Sequence, residues 1–265
     1  MPKSGDAVAA ALARYYDLDV SEQYDDVEMY LALAAASDGP ILELACGSGR
    51  ICVPLAAAGH RVTGVDRDPA MLDRARTMWA GRRKATSDGG SLDLIQADMT
   101  AVEVKERFGL VILAFNGLLL LLDRIAQEEV VRNIAGHLAS DGRAVIDIWL
   151  PAPEDLVMYD GRLVTDWIRE DLSMGTRVAK TTSARYSPAS ASATVDTQFD
   201  EWRQMDVPTR THRRDEVGFI SATELLSLVE RAGLEPQIVA GDYDMTEFTP
   251  DSDRLVLVAR SAGRL

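Results

Sequence analysis

One stretch decides the fold of this chain: Ile41-Leu-Glu-Leu-Ala-Cys-Gly-Ser-Gly-Arg50. It begins as an apolar strand and ends in two glycines one residue apart, and a helical pattern follows directly. A strand that passes through a glycine-rich turn into a helix brings backbone N–H groups close to a bound nucleotide-like ligand. The stretch therefore predicts the first strand, turn and helix of a ligand-binding α/β sheet.

The composition fits one large α/β domain with an insert. Of the 265 residues, 47% are hydrophobic, which is enough for a sizeable core. The formal net charge is −14, and a chain this acidic repels nucleic-acid phosphates and anionic lipid, so we expect neither as a partner. The two cysteines, Cys46 and Cys52, have no metal-ligand spacing. We therefore expect reduced thiols, no metal and a cytoplasmic protein.

Strand and helix patterns alternate between residues 41 and 150, and the alternation returns after residue 220. A helix is predicted over 125–139, closed by Ser140-Asp-Gly142. Strands are predicted at 41–44, 61–66, 92–96, 108–115, 143–149, 237–240 and 255–260. This order predicts an α/β, Rossmann-like, doubly wound sheet.

Two further regions complete the predicted organisation. Residues 1–36 show two helical patterns with four tyrosines, and we interpret them as an N-terminal helical lid. Residues 151–219 show strand-like runs separated by turn signals, which predicts an antiparallel β insert that caps the substrate or joins copies of the chain. The Rossmann-like domain then comprises residues 37–150 and 220–265. Because unpaired strand edges often pair with another copy, we expect a homo-oligomer.

Three features follow the first three predicted strands: the Gly47-Ser-Gly49 turn, Asp66 and Asp98. Ligands of doubly wound sheets bind at this carboxyl edge. One carboxylate can accept hydrogen bonds from ribose hydroxyls, and the other from an adenine amino group. A dinucleotide fingerprint is disfavoured, because Cys52 stands where the third glycine belongs. Glu43 lies inside the first strand, where a buried carboxylate needs a partner such as the glycine loop or a cationic ligand.

The chain resembles class I S-adenosylmethionine-dependent methyltransferases in four successive motifs, which are Glu43-Leu-Ala-Cys-Gly-Ser-Gly-Arg50, Val62-Thr-Gly-Val-Asp66, Pro69-Ala-Met-Leu72 and Gln96-Ala-Asp98-Met99. The region from residue 241 to residue 259 is similar to a bacterial branch of tailoring enzymes that N-methylate antibiotic sugars or cyclic amino acids. The resemblance implies a seven-stranded sheet whose last strand is antiparallel. It also implies S-adenosyl-L-methionine as cofactor, S-adenosyl-L-homocysteine as product and a small-molecule methyl acceptor.

The resemblance, together with the predicted topology, assigns candidate site residues. The candidates for cofactor binding are Tyr24, Tyr30, Glu43, Ala45, Gly47, Ser48, Gly49, Arg50, Asp66, Arg67, Met71, Ala97, Asp98, Met99 and Phe115. The candidates at the reacting atoms are Tyr16, Tyr24, Phe115 and Asn116. The candidates for the acceptor pocket are Tyr16, Asn116, Trp149, Tyr159 and Arg185.

The reaction type follows from what the motifs contain. After the fourth strand the chain reads Ala114-Phe-Asn-Gly117, which lacks the Asn-Pro-Pro-Tyr type of signature of nucleic-acid amino methyltransferases. None of the three histidines is placed as a persuasive base, and a neutral amine needs mainly alignment with the methyl donor. We expect direct N-methylation of a secondary metabolite. O-methylation of a sugar or polyketide hydroxyl is the alternative, and a non-catalytic cofactor-binding protein is a second one.

Overall fold

The computed structural model describes residues 4–83 and 89–262. The helices, in chain order, are α1 (Ser4–Asp19), α2 (Asp25–Ala35), α3 (Cys52–Ala57), α4 (Pro69–Arg83), α5 (Arg124–His137), α6 (Pro153–Val157) and α7 (Ala222–Arg231). The strands are β1 (Ile41–Leu44), β2 (Arg61–Asp66), β3 (Ser91–Gln96), β4 (Phe108–Leu113), β5 (Leu138–Trp149), β6 (Asp160–Asp171), β7 (Thr176–Ser187), β8 (Ser192–Trp202), β9 (Thr209–Gly218), β10 (Leu234–Ala240) and β11 (Arg254–Ser261).

The described residues fall into two units of packing. The larger unit combines residues 24–150 with residues 220–262, and the smaller one combines residues 4–23 with residues 151–219. The predicted lid, residues 1–36, is divided between them, because α1 belongs to the smaller unit and α2 to the larger one. The two helices predicted near the start of the chain therefore belong to different units.

The larger unit is built on a seven-stranded sheet in the order β10-β11-β5-β4-β1-β2-β3. Neighbouring strands from β5 to β3 are parallel, whereas β11 runs antiparallel to both β10 and β5. The predicted Rossmann-like sheet with an antiparallel last strand is confirmed. Every residue of β1 and β4 is buried, as expected for central parallel strands that helices cover on both faces.

The carboxyl ends of the central strands meet at one edge of this sheet. In β1, Leu44 pairs with Val65 of β2 on one side and with Leu113 of β4 on the other. Since these strands are parallel, the turns that follow β1, β2 and β4 lie next to one another. The register therefore brings together the turns that carry several of the predicted site residues.

Residues 138–142 differ from the prediction. They were expected to close helix α5, but they form the first part of β5, and the register between β4 and β5 shifts between Phe108 and Leu110. Gly142 permits this arrangement, because a Cβ atom added there would lie 2.6 Å from the Phe108 carbonyl oxygen. The sequence Ser140-Asp-Gly142 resembles a turn, and only the close approach of β4 shows why it is extended.

The smaller unit is a four-stranded antiparallel sheet in the order β6-β7-β8-β9. The predicted antiparallel strands of residues 151–219 are thus observed. Helix α1 packs on this sheet, where the Tyr15 ring stacks on Phe199 at a centroid distance of 4.7 Å and both side chains pack with Val178. The hydrophobic face of α1 is therefore buried against the insert.

An ion-pair network joins α1 to this sheet. The guanidinium of Arg14 donates to Asp171 and, at 2.7 Å, to Glu201, which also accepts from the Tyr15 hydroxyl at 2.7 Å. Burial alone would raise the pKa of Asp171 and of Glu201. Hydrogen bonds from Ser173 and Arg14 hold the pKa of Asp171 below its usual range. Hydrogen bonds from Arg14, Thr176 and Tyr15 do the same for the pKa of Glu201. Both carboxyls therefore favour the charged form.

Candidate functional site

The glycine turn after β1 has the backbone geometry that its sequence predicts. Ala45, Gly47 and Gly49 all have positive φ, of 54°, 55° and 91°. A Cβ atom on Gly49 would also lie 2.8 Å from Val53 Cγ2, so a side chain there is excluded by conformation and by space. Ala45 adopts a left-handed conformation without being glycine.

Asp66 ties this turn to the end of β2. Its Oδ2 atom accepts a hydrogen bond of 2.8 Å from the Gly47 N–H, and its Oδ1 atom accepts one of 2.8 Å from the Asp68 N–H. The carboxylate is therefore fixed by two backbone donors that lie at the ends of different strands. Its position is set before any ligand hydroxyl approaches.

A pocket at the carboxyl edge brings together most of the residues predicted for the adenosine part of the cofactor. The residues that line this pocket are Ala45, Val65, Asp66, Arg67, Ala97, Asp98, Met99, Leu120 and Leu121. The two leucines come from the segment after β4, and neither is among the predicted site residues. They add apolar surface to a pocket that also contains two carboxylates.

Asp98 is oriented within this pocket by its own turn. Its Oδ1 atom accepts from the Thr100 N–H at 2.8 Å and from the Thr100 hydroxyl at 2.7 Å. These hydrogen bonds lower the pKa of Asp98. The carboxylate is therefore charged at neutral pH and suited to accept hydrogen bonds from a ligand amino group.

Glu43 lies in β1 just before the glycine turn and is almost fully buried, with 2% exposure. Burial raises the pKa of its carboxyl to about 8, although Arg50 and hydrogen bonds from Cys52 act in the opposite direction. Its Oε2 atom has no hydrogen-bond partner among the described residues. A buried carboxyl oxygen in this state is suited to a hydrogen-bond donor such as a water molecule or a ligand ammonium.

The turn after β4 contains two successive residues in the left-handed conformation, Phe115 with φ 49° and Asn116 with φ 65°. The Arg50 guanidinium lies 4.5 Å above the centre of the Phe115 ring. Both Arg50 terminal nitrogens donate to the buried Asp26 at 2.6 Å. Asn116 in turn accepts a hydrogen bond of 2.6 Å from the Trp149 N–H. The structure thus groups Arg50, Phe115, Asn116 and Trp149.

Sequence reasoning missed Asp147, which is fully buried in β5. It accepts hydrogen bonds from the Phe115 N–H and the Tyr30 hydroxyl at Oδ1, and from Tyr243 and Arg254 at Oδ2. A single acid within the apolar run Ala144 to Trp149 was the available signal, because a buried carboxylate must find donors.

The structure places the three N-terminal tyrosines predicted for the site in different environments. Tyr30 has no exposed surface and its hydroxyl donates to Asp147, so the structure places it in the core and not at a ligand surface as predicted. Tyr24 immediately precedes α2 and is 63% exposed, and its proposed contact with ligand stays a prediction. Tyr16 lies on α1 in the smaller unit, and its role also stays a prediction.

The remaining candidates are distributed over both units. Ser48 is buried in the glycine turn, and Met71 lies half-buried on α4. In the smaller unit, Tyr159 lines a groove on the antiparallel sheet together with Lys180 and Thr182. Arg185 is exposed and follows the groove residue Ala184, so alternation along β7 places it on the opposite face of the sheet. Arg185 does not line this groove, and its role in the acceptor pocket stays a prediction.

No group of three or more His, Cys, Asp or Glu side chains is arranged to hold a metal ion within the described ranges. No helix in the described part of the chain is both long and apolar enough to cross a membrane.

The segment that contains the carboxyl edge of the sheet matches a known protein family. The family described as "Methyltransferase domain" matches residues 41–142. This segment is similar to that family. The match spans the chain from β1 into β5 and contains the glycine turn, Asp66, Asp98 and the Phe115–Asn116 turn. The family resemblance noted in the sequence is therefore confirmed, and with it S-adenosylmethionine as the cofactor of the family.

Individual relatives of the methyltransferase domain extend over nearly the whole chain. The cypemycin N-terminal methyltransferase of a Streptomyces species is 24% identical over 254 residues, which cover 92% of this chain and 96% of that protein. An S-adenosylmethionine-dependent methyltransferase from Clostridium acetobutylicum has a TM-score of 0.76 at 15% identity, with 96% of this chain and 98% of that one covered. The sugar N-methyltransferase KedS8 from Streptoalloteichus has a TM-score of 0.71 at 21% identity, with 93% of each chain covered.

Proposed function

We propose that this methyltransferase transfers a methyl group from S-adenosylmethionine to an amine nitrogen of a small secondary metabolite. The observation that carries the proposal is the shared pocket of Asp66, Asp98 and Met99 beside the glycine turn of Ala45 to Gly49. Three features from successive strand ends meet there in the order that their sequence spacing predicts.

The residues of this edge fit the parts of the donor. Asp66 is held by the Gly47 and Asp68 N–H groups in a position to accept from ribose hydroxyls. Asp98 is charged and can accept from the adenine amino group, while Leu120 and Leu121 offer apolar contact to the ring. The unpartnered Oε2 atom of Glu43 suits the neighbourhood of the ligand ammonium, directly or through water.

The bound cofactor supplies an electrophilic methyl group on a sulfonium. The chain supplies alignment, an effect that can be worth roughly 7–11 kcal/mol of a barrier. Phe115 and Asn116, at the carboxyl end of β4, are the residues we assign to the acceptor side. The Phe115 ring is held under Arg50, and the Asn116 side-chain oxygen is held by the Trp149 N–H.

A nitrogen acceptor is favoured over an oxygen acceptor because no histidine lies in the described pocket. Both ring nitrogens of His137 make structural contacts. One accepts a hydrogen bond from the Val104 N–H at 3.0 Å, and the other lies 2.8 Å from the Asn133 carbonyl oxygen. An alcohol usually needs a base, whereas a neutral amine does not. Two of the relatives are also N-methyltransferases by name.

The first test is calorimetric titration of the purified chain with S-adenosylhomocysteine. We expect saturable 1:1 binding, and we expect Asp66→Ala to weaken it by at least about tenfold, the loss of one charge-assisted hydrogen-bonding group. Asp73→Ala on the exposed face of α4 is the matched control. A folded wild-type chain that does not bind the product would contradict the proposal.

The second test identifies the acceptor atom. The chain is incubated with S-adenosylmethionine and a panel of amino sugars, cyclic amino acids and peptides with free N-termini, and products are located by mass spectrometry and NMR. Methylation on nitrogen supports the proposal, and methylation on oxygen supports the O-methyltransferase alternative. Tight cofactor binding without any methylated product across the panel would favour the non-catalytic alternative.

A further inference from the structure

Asp147 is a buried carboxylate with four hydrogen-bond donors from three parts of the chain. At Oδ1 it accepts from the Phe115 N–H at 2.6 Å and from the Tyr30 hydroxyl of α2. At Oδ2 it accepts from Arg254 at 2.6 Å and from the Tyr243 hydroxyl at 3.0 Å. The two oxygens therefore have different tasks, since Oδ2 binds the cation and Oδ1 binds the turn that follows β4.

The backbone conformation of this turn must be stabilised by residues outside it. Phe115 and Asn116 are both non-glycine residues in the left-handed region, which costs free energy at each position. β5 compensates with three hydrogen bonds in which Asp147 takes part twice. Its side chain accepts from the Phe115 N–H, its carbonyl accepts from the Asn116 N–H at 3.2 Å, and the Asn116 side chain accepts from the Trp149 N–H.

The turn lies against the glycine turn of the donor site. A Cβ atom added to Gly117 would be 3.8 Å from the Cβ atom of Ala45. The Phe115 ring is fixed separately, because Arg50 lies above it and is itself bound to Asp26. Backbone and ring of the same residue are thus controlled by two different buried carboxylates, Asp147 and Asp26.

We propose that Asp147 is a positioning residue for methyl transfer, which holds the Phe115–Asn116 turn in its left-handed conformation beside the donor site before any ligand binds. This inference rests on the proposed function for the identity of the ligand. The arrangement of the hydrogen bonds supports it, because an ion pair that only stabilised the core would be complete with Arg254 and Tyr243 at Oδ2. The bond to the Phe115 N–H adds nothing to that ion pair and acts on the turn alone.

The test compares two double variants in which the ion pair is removed in the same way. Arg254→Met removes the cation and keeps an apolar stem. In that background Asp147→Asn retains an oxygen that can accept from Phe115, whereas Asp147→Leu has a similar volume and no acceptor. Arg254→Met alone is the control for loss of the cation.

Two readouts distinguish positioning from general stabilisation. The first is hydrogen–deuterium exchange of the amides of Phe115, Asn116 and Gly117 without ligand. We expect exchange to be at least about tenfold faster in the leucine variant than in the asparagine variant, which corresponds to one buried hydrogen bond. The second is the affinity for S-adenosylhomocysteine, which we expect to be at least about fivefold weaker in the leucine variant and rescued in the asparagine variant, for the same reason.

Equal exchange rates at these amides in the two double variants, with equal affinities, would overturn the proposal. If the double variants do not fold, the wild-type chain decides, because the proposal requires the Phe115 amide to be protected both without and with S-adenosylhomocysteine. Protection that arises only with the ligand would overturn it. If the wild type does not bind S-adenosylhomocysteine, the proposed function fails, while the ligand-free exchange comparison still decides whether Asp147 holds the turn.

Discussion

Buried carboxylates set the chemistry of the site at the scale of single residues. Asp26 holds Arg50 above Phe115, and Asp147 holds the Phe115 backbone. Glu43 lies in β1 just before the glycine turn, with one oxygen that has no partner in the described part of the chain. The three carboxyl groups differ in how far hydrogen-bond donors of the protein take the place of the water that would otherwise solvate them. Glu43 is the least compensated of the three, and its protonation should therefore be visible in the stability of the chain.

Replacement of Glu43 by Gln should change how stability depends on pH. Burial raises the folded pKa of Glu43 to about 8, above the ordinary value of about 4.3. The contribution of the neutral carboxyl is therefore complete below about pH 4 and is lost as the pH rises towards 8, by at most about 1.4 kcal/mol per pH unit. Urea unfolding between pH 5 and 8 should show the variant gaining stability relative to wild type as the pH rises.

The matched control is Glu103→Gln, which makes the same chemical change at an exposed position. A difference between Glu43→Gln and wild type that stays constant from pH 5 to pH 8 would show that the buried carboxyl is charged throughout this range.

Replacement of Gly49 by Ala should damage both the fold and the donor site. The residue has φ 91°, and its new Cβ atom would lie 2.8 Å from Val53 Cγ2. We expect a loss of about 1–3 kcal/mol in the free energy of unfolding, from backbone strain and overpacking. Denaturant unfolding measures the loss, and calorimetry with S-adenosylhomocysteine measures the weakened binding.

Gly136→Ala in α5 provides the control for this variant, because the added Cβ atom would meet nothing within 4 Å apart from the backbone of its own helix and its chain neighbours. We expect it to stabilise the chain by about 0.5–1 kcal/mol, the usual gain of Ala over Gly within a helix. Equal stabilities of the two variants would contradict the assignment of Gly49 to a strained turn.

At this scale the sequence predicts pocket-lining residues better than the buried residues that support them. Asp66 and Asp98 were found because each follows an apolar strand. Asp147 was not found, because its partners Tyr30, Tyr243 and Arg254 lie about a hundred residues away along the chain, and no local pattern joins them. Tyr30 was assigned to a lid for the same reason.

At the scale of elements, α1 depends on the antiparallel sheet that it covers. Its Arg14 has 12% side-chain exposure, and it pairs with Asp171 and Glu201, whose side chains are 4% and 15% exposed. Removal of one partner from such a network leaves buried charge behind, which costs about 3–5 kcal/mol. Helix α1 is thus held by charge as well as by the Tyr15–Phe199 stack.

Replacement of Arg14 by Met should therefore destabilise the chain by about 3 kcal/mol at pH 7. The pKa values of Asp171 and Glu201 lie below their usual range, so this contribution is complete above about pH 4.5 and is lost as the pH falls through the folded values. Unfolding by urea at pH values from 7 to 3 should show the difference from wild type shrinking with acid. Arg61→Met, which breaks the exposed pair with Glu106, should cost less than about 1 kcal/mol at every pH.

The elements themselves were largely predictable, because period-2 and helical patterns are local. The seven strands of the mixed sheet and the four of the antiparallel sheet follow these patterns. The start of β5 at Leu138 and the separation of α1 from α2 were not predictable, since both depend on what packs against them. A helical pattern shows which face of a helix is buried, but it does not show which element packs against that face.

At the scale of the whole molecule, the net charge of −14 limits the partners of the chain. Binding to nucleic acid is driven by neutralisation of phosphates, so an acidic chain gains nothing from this term. We expect no shift of transfer RNA or duplex DNA in gel electrophoresis at micromolar protein and low salt. A salt-sensitive shift that survives competition with heparin would contradict the small-molecule assignment.

The place of β11 in the sheet has a consequence for biosynthesis. Residues 254–261 leave the ribosome after every other strand of the seven-stranded sheet, yet β11 lies between β5 and β10. Until it inserts, β5 and β10 have no common neighbour, and Asp147 lacks the cation that Arg254 brings. The nascent chain must therefore keep this side of the sheet open until residues 254–261 have left the ribosome. During that interval we expect it to be the part most exposed to chaperones and proteases.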